Sequence, residues 1–208
     1  MRLLLTILAV SFGFWGLIIF ASKLSVNRLQ RALLRNDIDE FDRISTGFLT
    51  KTLVTRSKIL ALKLNYVLQN DEEIMIDEMS CDIMNEVITK KDKSKMLMII
   101  FQYYMLKFSK DKLTDFMPKL KQNLSSIEYH ECKMAFDINL NGSYAYISEL
   151  KEGMDIADEH EKGMKAFMIA KQYENMNDQK SRGVYLQKAL YSLKGTPFEA
   201  VIKNELCK

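Results

Sequence analysis

The sequence predicts an all-α protein, a solenoid of helix hairpins preceded by one transmembrane helix, and three observations carry that expectation. Leu3 to Ala21 is a run of nineteen residues without a charge. Turn formers are scarce: two prolines and eight glycines in 208 residues, with Lys, Glu, Asp, Met and Leu filling the long mixed stretches. Such a composition favours helix almost throughout. Finally, short stop-and-restart signals recur along the chain at a nearly constant interval.

At ~1.5 Å of rise per residue, the apolar run is ~28 Å long, close to the ~30 Å of bilayer hydrocarbon. Its only polar groups are the hydroxyls of Thr6 and Ser11, which a helix can bond to its own backbone. Trp15 and Phe20 sit toward its exit end. Lys23, Arg28, Arg31 and Arg35 come soon after it, with Arg2 before it, so the positive-inside rule places the helical domain in the cytoplasm. A secretory signal cleaved after Ala21 is the alternative; the run exceeds the usual signal core of ~7–15 residues and lacks an Ala-x-Ala ending. Residues 1–22 are therefore expected to form a membrane anchor (or signal peptide) and residues 23–208 an α-helical domain, in a single-pass protein of the cell membrane.

After the span, helix continues through Leu29, Ala32 and Leu33 to a break at Asn36-Asp37. Further breaks occur at Asn70-Asp71, Ser109-Lys110-Asp111, Asn141-Gly142-Ser143 and Asn177-Asp178, at intervals near 34, 39, 33 and 35. Asn, Asp and Ser accept bonds from the free N–H groups of a new helix, so each break reads as a turn between two helices. The second pair runs from Lys51 to Gln69, with Leu53, Ile59, Leu60, Leu62, Leu64, Tyr66 and Val67 in helical order, and from Asp71 to Thr89, with Ile74, Met75, Ile76, Met79, Ile83, Val87 and Ile88; Lys90 to Lys93 closes it. The third runs from Ser94 through Asp111 to Gln122, where Pro118 should remove a backbone bond and bend the helix. Ser125 to Glu128 has capping-box spacing and opens the next helix; Ser143 to Glu152 forms its partner, ended by Gly153. The last pair spans about Asp158 to Met176 and Asp178 to Leu193, with Phe167, Ala170 and Tyr173 facing Val184, Leu186, Ala189 and Leu190. Thr196-Pro197-Phe198-Glu199 opens a short terminal helix.

A helix pair every ~34 residues resembles the tetratricopeptide repeat. The resemblance covers about Arg28 to Leu193, and Ala170, Tyr173, Leu186 and Ala189 look like that family's small, aromatic, bulky and small positions. Tyr66 matches Tyr173 in its place before the turn, while Lys63 stands where a small residue is expected. An irregular helical bundle is the alternative architecture. The resemblance implies a groove lined by the first helix of each pair, which puts Lys171, Glu174 and Asn175 on a partner-binding surface.

No cluster argues for catalysis, a cofactor or a metal. The two histidines, His130 and His160, lack a partner at the i+4 spacing that places two ligands on one helix side. His130 and Cys132, two apart on a helix, diverge. Cys81, Cys132 and Cys207 are odd in number and far apart, which argues against a disulfide framework. A net charge of +3 with acids and bases interleaved gives no nucleic-acid footprint. The acidic groups Asp71-Glu72-Glu73 and Asp155 to Glu161 fall near helix starts, where they complement the macrodipole. Of the basic groups, Lys23, Arg28, Arg31 and Arg35 are those whose position puts them against anionic headgroups. The function expected is that of a non-catalytic scaffold holding a protein or peptide partner, with the membrane contacted through residues 3–21 and no nucleic acid. The alternative is a helical enzyme or small-ligand domain whose site is assembled from residues distant in sequence.

Overall fold

The structure, a computed structural model, describes residues 2–207, with side chains from Ile18 onward. The described residues contain twelve α-helices and no strand. They form two compact units, residues 1–103 and 104–208.

Four of the five recurring breaks are turns of one geometry. Asn36, Asp71, Phe108 and Asn177 all take positive φ, between +51° and +59°. In each case the positive-φ residue's N–H bonds the carbonyl three back, and the next residue's N–H bonds the carbonyl five back, as in Asp37 to Ala32 and Asp178 to Tyr173, at 3.0 and 2.9 Å. This is a Schellman closure, which satisfies the last carbonyls of one helix. The residue completing it (Asp37, Glu72, Ser109 or Asp178) is the N-cap of the next helix, with ψ between 74° and 85°. One residue thus ends a helix and its neighbour starts another. The fifth turn is a variant, in which Gly142 takes φ +66° and the Ser143 N–H reaches six back to Asp137. Positions 36, 71, 108, 142 and 177 are 35, 37, 34 and 35 residues apart.

In the first unit, α1 (Arg2–Leu34) turns at Asn36 into α2 (Ile38–Thr46), and α3 (Phe48–Leu53) comes directly after it. The expected helix from Lys51 to Gln69 is broken at Val54 and Thr55, which are extended, and α4 (Arg56–Gln69) begins after them. The β-branched pair suits that conformation, and Val54 is buried there. The Ser22 hydroxyl of α1 donates to the Leu53 carbonyl at 3.0 Å, satisfying the end of α3. α4 pairs with α5 (Glu73–Asn85); Ile59, Leu60, Leu64 and Val67 bury against a core that includes Ile76, Met79 and Ile83. Two expected core residues are instead exposed. Ile74 lies in the first turn of α5, and Val87 comes after the extended C-cap Glu86, off the helix. Lys90 to Lys93, expected to close the pair, is the first turn of α6 (Lys90–Leu106). Thr89 and Asp92 cap it reciprocally, Asp92 N–H to the Thr89 hydroxyl at 3.1 Å and that hydroxyl to the Asp92 carboxylate at 2.8 Å.

The second unit begins in the last turn of α6 and continues through α7 (Lys110–Asn123), α8 (Ser126–Leu140), α9 (Ile147–Met154), α10 (Glu159–Asn175), α11 (Gln179–Ser192) and α12 (Phe198–Leu206). Pro118 does not interrupt α7, since Thr114, whose carbonyl it leaves free, lies on the exposed side. The capping box at Ser125 and Glu128 forms as expected. α9 starts four residues later than the expected Ser143, because the Gly142 turn leads into a stretch where the Tyr146 N–H bonds Gln172 Oε1 at 2.8 Å instead of its own helix. Contacts link elements close in sequence: α7 with α8, α10 with α8 and α9, α11 with α10, and α12 with α11. Two clusters of buried residues stand out in the unit's core. One joins Met134, Ile138, Leu150 and Ile169; the other joins Ala166, Ala170, Leu186, Ala189, Leu193 and Ile202. Val184, expected to face inward, is exposed.

The repeat period also appears in long-range bonds. Tyr103 of α6 donates to Asp71 in the α4–α5 turn at 2.7 Å, and Asn175 of α10 donates to Ser143 O in the α8–α9 turn at 3.0 Å, both 32 residues on. In each unit a first-helix side chain therefore fastens the turn of the preceding hairpin. This makes the fold an all-helical one of repeat-like hairpins. The expected span over Leu3 to Ala21 falls largely on residues whose side chains lie outside those described. Among the described residues, no helix is long and apolar enough to cross a membrane.

Candidate functional site

Lys171, Glu174 and Asn175 occupy the last two turns of α10, half-buried, and each is engaged within the second unit. Lys171 Nζ lies 2.9 Å from Glu174 and 3.2 Å from Glu205 of α12. Asn175 Nδ2 donates to Ile138 O at 2.9 Å as well as to Ser143 O. The structure therefore brings Lys171 and Glu174 together and sends Asn175 to the opposite neighbour.

Two groups that sequence reasoning passed over complete this network. Arg182 of α11 donates to the Glu205 carboxylate at 2.9 Å and to the Glu205 carbonyl at 2.8 Å, and the two side chains are only 8% and 11% exposed. Arg182 shares the inward stripe of Leu186, Ala189 and Leu193; a charge in an apolar stripe at helical spacing was the available signal. Gln172 is fully buried, with its Oε1 on the Tyr146 N–H and its Nε2 without a partner among the described residues.

Asp137 organises the turn between α8 and α9. Its carboxylate accepts from Lys133, from the Tyr146 hydroxyl at 2.5 Å and from Asn141 Nδ2 at 3.1 Å. Burial pushes the Asp137 carboxyl up, but these three donors outweigh it and hold it below the usual carboxylate range. Beyond the turn, Tyr173 and Tyr185 stack at 5.5 Å with Lys151 Nζ 5.6 Å from both ring centroids.

A crevice of about 550 Å³ opens between α8, α9 and α10. His130 Nε2 and Glu149 Oε1 meet across it at 2.6 Å, and Lys165 bonds Glu161 at 2.7 Å and Gly153 O at 2.8 Å. Glu131 also lines it and makes no ion pair among the described residues. The crevice can take a basic or hydrogen-bonding group of a ligand. Its ion pairs are solvent-exposed and add little to stability.

No family model, curated protein or solved structure matches this chain.

The remaining residues of chemical interest are dispersed. Among the described residues, no three of His, Cys, Asp and Glu converge as a metal site. Cys132 is buried, which pushes its thiol up to about 11, whereas His130 two residues earlier is exposed, the divergence that helical spacing predicts. Cys81 and Cys207 are exposed, and His160 packs edge-on to Phe198 with ring centroids 6.4 Å apart.

Proposed function

We propose that this protein is a membrane-anchored scaffold, a single-pass protein whose tetratricopeptide-like hairpins hold a protein or peptide partner without catalysis. The observation that carries the reading is the recurrence of a helix-to-helix turn every 34 to 37 residues, four of the five turns sharing one geometry. A hairpin that cannot bury its own apolar side must stack on the next, and a stack of hairpins presents an extended surface suited to a peptide.

The anchor is supported by the nineteen uncharged residues from Leu3 to Ala21 and by the exposed Ile18, Ile19 and Phe20 at their end. The basic residues from Lys23 to Arg35 favour a cytoplasmic domain. The test is affinity capture with the full chain in mild detergent, paired with a variant in which the crevice residues Glu131 and Glu149 are reversed to Lys. A partner retained by the wild type and lost by the variant supports the scaffold. Failure to retain any specific partner would overturn it. Protease digestion of intact spheroplasts tests the orientation, with the helical domain expected to resist cleavage from outside.

A further inference from the structure

We propose that the groove between α1, α2 and α3 is a binding site for the phosphates of anionic phospholipids at the surface of the membrane in which the chain is anchored; it rests on the anchoring proposed above.

The groove has a volume of about 580 Å³ and is lined by Arg28, Arg31 and Arg35 from the end of α1, Arg43 from α2, and Phe48 and Leu49 from α3. The first three succeed one another at i, i+3 and i+7, which puts them on one side of the helix and its exit. None of the three makes an ion pair or side-chain hydrogen bond among the described residues. The groove's two carboxylates are already engaged. Glu40 holds Arg43 by two bonds of 2.7 Å, and Asp37 caps α2 by accepting the Glu40 N–H at 2.9 Å. Three guanidiniums thus face solvent without an ion-pair partner, and a planar guanidinium fork binds phosphate oxygens two at a time.

Phe48 and Leu49 distinguish a lipid surface from a soluble anion. They are 82% and 63% exposed on the rim of the same groove, where an isolated phosphate would leave them in water. At the boundary between headgroup and acyl chain, aromatic and aliphatic side chains dip in while arginines stay at phosphate level. The distances set the geometry. Arg28 lies ~10 Å and Arg35 ~20 Å of helix beyond Ala21, against a headgroup layer ~5–8 Å deep. An upright α1 would reach it only with the long side chain of Arg28. Tilting α1 toward α2 and α3 brings the groove down, and membrane helices tilt by ~20° on average and by up to ~40°.

The experiment uses the full chain carrying Trp15→Phe and Phe48→Trp, so that the single tryptophan reports from the rim, in vesicles of phosphatidylcholine alone or mixed with phosphatidylglycerol. The expected result is a blue shift of emission, with quenching by brominated acyl chains, only where phosphatidylglycerol is present. The shift is lost in high salt and in the added triple variant Arg28→Gln, Arg31→Gln, Arg35→Gln, whose helical circular dichroism is unchanged. Emission indifferent to lipid charge, or a shift that survives the triple variant, would overturn the proposal. So would the same shift produced in phosphatidylcholine vesicles by inorganic phosphate, which assigns the groove to a free anion, or by poly-glutamate, which assigns it to an acidic protein segment. Flotation after alkaline carbonate separates the two readings. A chain that fails to float with phosphatidylcholine vesicles overturns the anchor, while arginine-dependent flotation with phosphatidylglycerol alone would still support the groove.

Discussion

Asn175 and Ile138 are joined by a side-chain amide: Nδ2 of the former donates to the carbonyl of the latter at 2.9 Å, and the same nitrogen reaches Ser143 O at 3.0 Å. One short side chain on α10 thereby satisfies carbonyls on both sides of the turn that ends α8. Replacing it by Ala leaves those carbonyls in a half-buried seam, a loss of about 1–3 kcal/mol. Asn175→Asp is destabilising too, because a carboxylate brings acceptors to acceptors. Urea midpoints should fall for both variants, with the slope unchanged.

Glu205 is the shared partner of Lys171 and Arg182, and the Arg182 side chain is nearly buried. Removing Glu205 leaves Arg182 only the 3.9 Å approach of Glu174, so Glu205→Gln should lose about 3–5 kcal/mol, and Arg182→Met less, because Lys171 still pairs with Glu205. In a double-mutant cycle the pair of substitutions together should lose less than their sum. Full additivity would mean that the two charges do not act as a unit.

Acid should weaken the α8–α9 connection. The Asp137 carboxyl is held below its ordinary value in the folded protein, so its stabilisation is complete above the unfolded value of ~4 and disappears as pH falls through the lower folded value. The stability difference between the wild type and Asp137→Asn should therefore be largest near neutrality and shrink on acidification. A constant difference down to strongly acidic pH would contradict this account.

Two glycines should respond oppositely to alanine. A Cβ on Gly163 would lie 2.5 Å from Leu193 Cγ, and Leu193 is fully buried with little room to yield. Overpacking of this kind costs about 1–3 kcal/mol, more than the ~1 kcal/mol that alanine gains in helix propensity. Gly183, in the middle of α11, has nothing within 4 Å of its Cβ position, so Gly183→Ala should stabilise by about 0.5–1 kcal/mol. Thermal midpoints read both.

Phe108 sits exposed at φ +51°, in the turn position that Asn fills at 36 and 177. A bulky side chain is strained there, by roughly 1–2 kcal/mol. Phe108→Asn or Phe108→Gly should raise stability by about 1 kcal/mol, visible in the same melting experiments.

Much of the fold was legible because its turns are local. An Asn or Asp that tolerates positive φ, with a residue after it whose side chain or backbone caps the next helix, carries its instruction within a few residues, and the turns at 36, 71 and 177 fall where the dipeptide stands. The turn at 108 was the exception, since Phe signals nothing of the kind; only Ser109-Lys110-Asp111 just after it marked the break. The polar network was hidden for the opposite reason. Asn175 resembles any exposed helical Asn until α8 lies beside it, and it was the resemblance to the tetratricopeptide repeat, not a local signal, that placed it on a groove.

The sequence by itself determined the all-helical class, the positions of the five turns and the apolar run at the start, because capping, propensity and periodicity act over one or two turns of chain. Tertiary structure decided which polar groups are consumed internally and which stay free. Lys171 and Arg28 are alike as basic residues in helices. Lys171 meets Glu174 and Glu205, while Arg28 faces an open groove and makes no ion pair among the described residues. The physical reason is that pairing requires partners tens of residues away to arrive within about 3 Å, and only the stacking of one hairpin on the next sets that distance.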